Sequence, residues 1–474
     1  MARISKKVKR QQRRSRKPGV EQQLREIRRD VAGIDIGATE IYIACLPKED
    51  RSPNVRTFRT DTQSLVEAAD WMAGEGARSV AMESTGVYWM PLYQVLIHRE
   101  FEVNLVDTRK VRSVPGRKTD VLDCQWLRLL HANGLLEGCF LPDDQTAALR
   151  SLQRMRQVLR HDQDDWIRRI QKHLDLMNVR VHRAVSDITG VTGMAIIRAI
   201  LAGERNPRAL AALRHECCHK SEAEIARELT GDWREEHLQN LKLAMATYDH
   251  FSAQIAESDR NIAARLECIR AIREAQGLPV ASVALPHPLP EKAKRMNRRG
   301  EEPMRQALVR TYNIDLTRIE GVAVEAAACT FMEMGPDTPT RFPTEKQFLA
   351  YMRLAPRLAI SGGHPLPGKG KAPRRGCPPL KRILLTSASA LRDSKTALGD
   401  YYRKTAFRKG AGIAAFATAR KIAQRIYRAL AHGIEYAVSG DEHWQRAELE
   451  RRRARLARQA AVLGLELTPA TAKS

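Results

Sequence analysis

Four carboxylates in the first third of the chain, Asp35, Glu83, Asp120 and Asp123, have the types and spacing that metal-assisted phosphoryl transfer requires. Asp35 stands near the end of the apolar run Val31-Ala-Gly-Ile-Asp-Ile-Gly, and Glu83 closes Ser79-Val-Ala-Met-Glu, so both acids fall at the ends of segments that read as strands. Gly37 and Ala38 leave room for a phosphate beside the backbone. Asp120 and Asp123 are three apart in Lys118-Thr-Asp-Val-Leu-Asp-Cys-Gln-Trp-Leu, a spacing that puts both on one face of a helix. Four acids from two strands and one helix can converge on a pair of Mg²⁺ ions about 4 Å apart, which activate a nucleophile and stabilise the leaving oxygen. Without cations, four carboxylates in one cleft would repel strongly. Taken singly, each acid has a plainer reading: a turn residue, a helix cap, a solvated helix face.

A second candidate lies far along the chain. Ser361 sits in Leu354-Ala-Pro-Arg-Leu-Ala-Ile-Ser-Gly-Gly-His, where two glycines leave its hydroxyl open to a phosphate. Lys369, Lys371, Arg374 and Arg375 follow and can neutralise that phosphate as nucleic-acid-binding residues. A Ser-Gly-Gly is more often a turn than a nucleophile, and no His or Asp motif marks an activating base. The residues alone leave both readings open.

The elements that must position these groups follow from periodicity. Residues 31–36, 41–45 and 55–59 read as a three-stranded meander; helix, strand, helix and strand follow at 65–73, 79–83, 88–99 and 102–106. An antiparallel ribbon followed by βαβ units predicts an α/β domain with a mixed sheet flanked by helices over 30–142. Residues 143–276 read as long charged helices, such as 149–177 and 222–275, forming a coiled-coil arm. A Pro-, Lys- and Arg-rich linker at 277–303 leads to a mainly helical region at 304–440, and a charged helix and tail close the chain at 441–474. Residues 1–29 form a basic arm expected to order only on phosphate.

Composition narrows the partners. The 80 Lys and Arg against 55 Asp and Glu give a net charge of +25 over 474 residues, which points to a polyanion. Aromatics at 5% argue against binding built mainly on base stacking. No apolar run approaches the length of about eighteen residues needed to span a membrane, and the N-terminus lacks the apolar core of a secretory signal. The expected location is therefore the cytoplasm, with association to the nucleoid in action, and no membrane partner. The 8 cysteines are scattered, as reduced thiols would be. His215-Glu-Cys-Cys-His lacks the second ligand pair of a closed zinc site.

The motifs around the acids carry a specific resemblance. Gly33-Ile-Asp-Ile-Gly, Met82-Glu-Ser-Thr-Gly-Val-Tyr-Trp and the Lys118–Leu127 segment resemble the three motifs of the DEDD insertion-sequence transposases, family one-ten, whose nuclease domain is similar to RuvC-type Holliday-junction resolvases. The resemblance implies a RuvC-like (RNase H-like) fold for 30–142 and a transposase domain for 304–440. In that second domain an Ala-Pro-Arg…Ser-Gly segment similar to the one here carries the recombination nucleophile, which would be Ser361. A covalent serine–DNA intermediate follows, with the metal held by the acids lowering the serine pKa within or across a subunit boundary. Ile319-Glu-Gly-Val-Ala-Val-Glu-Ala-Ala resembles the family's helix-hairpin-helix segment, with Ala323 where a second glycine is usual. Tyr401 and Tyr402 fall in a segment similar to the closing helix, and both are expected in the core. The family further implies a non-coding bridge RNA that pairs with donor and target DNA, and a homo-oligomer, dimer or tetramer, around it.

The function expected is Mg²⁺-dependent cleavage and rejoining of DNA at element ends and target, with Mn²⁺ able to substitute. The alternative is a RuvC-like junction endonuclease that never rejoins, for which Ser361 would be idle; a non-enzymatic basic scaffold is a third reading.

Overall fold

The computed structural model describes residues 26–50, 52–84, 86–106, 120–139, 141, 143–216, 218–281, 302–355, 360–361, 364–365 and 379–462. The chain divides into two compact units, Met1–Leu141 and Pro142–Ser474.

In the first unit, β1 (Val31–Ile36), β2 (Glu40–Ala44) and β3 (Val55–Arg59) form the antiparallel meander that their alternation predicts. Helix α1 (Thr62–Gly74) begins at Asp61, whose carboxylate accepts from Ser64 N at 3.0 Å. It buries the stripe Leu65, Ala68, Ala69 and Met72. β4 (Ser79–Glu83), α2 (Trp89–His98) and β5 (Glu102–Val106) follow, and both strands join in parallel to give the order β3-β2-β1-β4-β5. Ile34, Ile36, Val80 and Met82 pack on one face with Leu65 and Met72 of α1 and Leu92 and Leu96 of α2. Helix α3 (Asp120–Ala132) covers the opposite face. A mixed sheet with helices on both sides is the RNase H-like arrangement.

The second unit is mostly helical. Helix α4 (Asp144–Leu176) starts at Asp143, which accepts from Thr146 N at 2.9 Å. The expected single helix over 222–275 is two: α5 (Glu222–Glu228) and α6 (Glu235–Ala275). The break has a packing cause. A Cβ at Gly231 would lie 2.4 Å from the Met177 carbonyl oxygen, and Asp232 N donates to that same carbonyl at 2.8 Å. Residues 229–234 are therefore drawn across the end of α4 instead of continuing the helix. α6 then runs back antiparallel to α4: Leu174 shares a core cluster with Leu241 and Met245, and Leu149 shares another with Ile262 and Leu266.

That second cluster also takes in α7 (Glu302–Tyr312) and α8 (Val324–Met334), where Tyr312 stacks on Phe331 with ring centroids 4.3 Å apart. Ion pairs fix the junction. Arg156 of α4, 3% exposed, bridges Asp259 of α6 and Glu325 of α8. Glu333 accepts both Nε and Nη2 of Arg154 at 2.7 and 2.9 Å. Between α7 and α8, Gly321 takes φ +83°, while Ala323 sits at φ −79°, so the second hairpin glycine is not needed for the backbone to turn.

Candidate active site

The pairing of β1 with β4 sets Ile34 opposite Met82. One residue on, the same register brings Asp35 beside Glu83, on strands about 4.8 Å apart. Both acids are half-buried. Alternation along β1 sends Ile34 into the core under α1 and α2, and so turns Gly33 and Asp35 to the other face.

Helix α3 lies directly on that face. A Cβ at Gly33 would be 2.3 Å from both Arg128 N and the Cys124 carbonyl oxygen. Only a glycine lets the helix backbone come so close. At the other end of α3, the buried pair Ser79 Oγ and His131 Nε2, 2.7 Å apart, ties the last helical turn to the start of β4. Ala132 O accepts from Ile27 N and Arg28 N, and Arg128 pairs with Glu26 at 2.6 Å. Two fixed points give the helix its direction: α3 runs antiparallel to β1 and β4, and its first turns, with Asp120 and Asp123, lie toward the strand ends that carry Asp35 and Glu83. A helix rises about 1.5 Å per residue and a strand about 3.3 Å. Stepping back from the Gly33 contact thus brings the start of α3 level with Asp35.

Electrostatics agree with the geometry. The Cys124 thiol is pushed up to about 12, first by burial, with the charges of Asp35 and Asp123 adding to it. Both carboxylates are near enough to act on the same buried sulfur. Burial, reinforced by the Arg28 charge, holds the His131 imidazole below its usual range, so the ring is neutral where it meets Ser79. Arg28 in turn holds Asp30 and Glu102 below the ordinary carboxylate range.

Three of the four acids are thus described with their side chains; Asp120 begins α3, with its side chain outside the described residues. Among the described residues no group of three or more His, Cys, Asp or Glu is arranged to hold an ion. The donor set nevertheless fits one kind of ion. It consists of carboxylate oxygens alone, the ligands of hard cations such as Mg²⁺ and Mn²⁺. After Glu83, Ser84 donates to Val106 O at 3.1 Å, and Gly86 at φ +56° turns the chain into α2. Gly37 closes the β1–β2 turn by donating to Glu40 O at 2.9 Å.

In the second unit Ser361 lies in the two-residue strand β6 (Ile360–Ser361), paired antiparallel with β7 (His364–Pro365) so that Ser361 is opposite His364. Its side chain, and all of Lys369, Lys371, Arg374 and Arg375, lie outside the described residues.

Two family models match the chain. One, a transposase model of the DEDD IS110 type, covers residues 32–179, which includes all four acids. The other, described as the transposase IS116/IS110/IS902 family, covers residues 313–403, which include Ser361. The chain belongs to the IS110 family of transposases. An IS110-family transposase is a DNA phosphoryl-transfer enzyme, and its DEDD domain implies use of a divalent metal. No curated protein matches the chain, and among the described residues no helix is long and apolar enough to cross a membrane.

Sequence reasoning missed Gly33, Ser79 and His131, which aim α3 at the acids. The Gly within the apolar strand was the available signal, since a strand glycine often marks a close backbone approach.

Proposed function

We propose that this IS110-family transposase cuts and rejoins DNA with Asp35, Glu83, Asp120 and Asp123 as ligands of Mg²⁺ and Ser361 as the nucleophile. The observation that supports the reading is the β1–β4 register, which pairs Ile34 with Met82, each one residue before an acid, with α3 packed on the face opposite the Ile34 core. Bound there, Mg²⁺ would supply charge neutralisation at the phosphate and a lowered pKa for the attacking hydroxyl.

The chain's own residues do the rest. Asp35 and Glu83 are held on neighbouring strands whose pairing fixes their separation, and Asp123 is held by a helix locked at Gly33 and at His131. Ser361 would attack the scissile phosphorus, displace a 3′ hydroxyl and keep the phosphodiester energy in a serine–phosphate ester for rejoining. Lys369, Lys371, Arg374 and Arg375 would neutralise phosphate along the same strand. A non-coding guide RNA that pairs with element ends and target, and a dimeric or tetrameric assembly around it, complete the reading; the charge of +25 supports two nucleic acids as partners.

The experiment is cleavage of element-end DNA by Asp35→Asn and Glu83→Gln in Mg²⁺. Each should lose at least about a hundredfold in rate, near 2.7 kcal/mol of barrier, with DNA affinity unchanged. Wild-type rates in both variants would refute the metal-ligand assignment.

A further inference from the structure

A cleft of about 520 Å³ lies between helices α9 (Ala397–Lys409) and α10 (Ala411–His432), which form a hairpin turning at Gly410, φ +87°. Four cations line it, Lys404, Lys421, Arg425 and Arg428, with Asp400 as the carboxylate in its wall and Glu320 and Glu345 pairing the two arginines. Three of these cations are held by carboxylates. Arg428 Nε is 3.0 Å from Glu345, Arg425 Nη1 is 3.9 Å from Glu320, and Lys404 Nζ is 2.7 Å from Asp400. Glu320 is itself fixed by the Leu398 N–H, which donates to it at 3.1 Å.

Tyr401 is the unexpected member. Adjacent residues on a helix point about 100° apart, and here only Tyr402 enters the core, at 4% exposure, while Tyr401 lines the cleft. Lys421 Nζ lies 4.9 Å from the centre of the Tyr401 ring, a cation–π pair that stiffens both. Toward the hairpin tip the pattern repeats, with Phe407 at 94% exposure beside Arg408 and Lys409. Four cations against three carboxylates leave a net positive charge in a concave site, which favours an anion, and the Tyr401 ring set among them suits a ligand that alternates phosphates with flat bases. A ring among the cations can stack only on a base whose face is open, which a single strand offers and a paired duplex does not.

We propose that the α9–α10 cleft binds single-stranded nucleic acid, with Lys404, Lys421 and Arg425 on phosphate oxygens and Tyr401 supporting a base. None of the residues that line the cleft is Ser361 or one of the four acids, and binding there needs no metal and no strand chemistry.

The test is therefore made in chelator, where failure of the proposed reaction has no effect. Full-length protein is titrated by fluorescence anisotropy into a labelled RNA of about twenty nucleotides, the DNA of the same sequence, and its duplex. Lys404→Gln combined with Lys421→Gln should weaken single-strand binding at least about tenfold and flatten the log–log salt slope by about 1.4, two contacts at about 0.7 each. Tyr401→Leu should weaken it about fivefold or more with the slope unchanged. Loss for RNA alone assigns the cleft to RNA, and equal loss for both assigns it to any single strand; either supports the proposal. Unchanged single-strand affinity, or loss confined to the duplex, overturns it. As a check that does not depend on variants, a thio-substituted pyrimidine in the oligonucleotide should photocrosslink to wild-type residues 397–428, and crosslinks only elsewhere would also overturn it.

Discussion

The backbone of Arg128 occupies the place where a side chain at Gly33 would be, with its amide nitrogen 2.3 Å from the missing Cβ. The contact sets how far α3 stands from the sheet, and so where Asp120 and Asp123 stand relative to Asp35. Gly33→Ala must push the helix or the strand aside. The expected cost is about 1–3 kcal/mol in the first unit, with cleavage lost beyond what that destabilisation explains. Thermal melting together with cleavage rates checks it; a stable and fully active variant would show that the close packing is irrelevant to the site.

A pH effect follows from His131. Its folded pKa is below the free value of 6.5, because burial and Arg28 disfavour the imidazolium. Folding therefore favours the neutral ring: this stability is complete above about pH 6.5 and is lost as pH falls below it. Melting temperature should drop from pH 7.5 to 5.5 by more in wild type than in His131→Gln, which keeps a polar partner for Ser79 and does not titrate. Equal drops would remove His131 from the account.

Arg156 ties three helices through Asp259 and Glu325 while almost fully buried. Arg156→Ala strands both carboxylates, but Asp259 is 39% and Glu325 25% exposed, so the loss should sit at the low end of the usual range, about 3 kcal/mol. Chemical denaturation measures it. Replacing Glu325 by Gln in the same chain should recover part of the loss, and no recovery would contradict the pairing.

Residues 1–25 hold ten Lys and Arg against one Glu. Deleting them spares the contacts of Glu26, Ile27 and Arg28 with α3. DNA affinity should then fall and its salt dependence flatten by about 0.9 per lost duplex contact. An unchanged slope would mean that the arm does not touch phosphate.

Much of the first unit was legible because each of its strands alternates or runs apolar for about five residues and ends in a turn signal; Asp35 and Glu83 were visible as acids at strand ends. Their register was not, since only the folded sheet sets Ile34 opposite Met82. The break at Gly231 was hidden because a single glycine costs a helix only about 1 kcal/mol, and the deciding contact, the Met177 carbonyl, lies 54 residues away in sequence. Tyr401 and Tyr402 look alike in sequence, and only the packing of α9 on α10 separates a core ring from a cleft ring.

The central claim is that one reaction needs both the acids and Ser361. The most direct measurement traps protein on element-end DNA in Mg²⁺ under denaturant and maps the adduct by mass spectrometry. The account predicts a covalent bond at Ser361 that is abolished by Ser361→Ala and also by Asp35→Ala, although both variants bind DNA as wild type does. An adduct on another residue, or one that forms undiminished in Asp35→Ala, would contradict it.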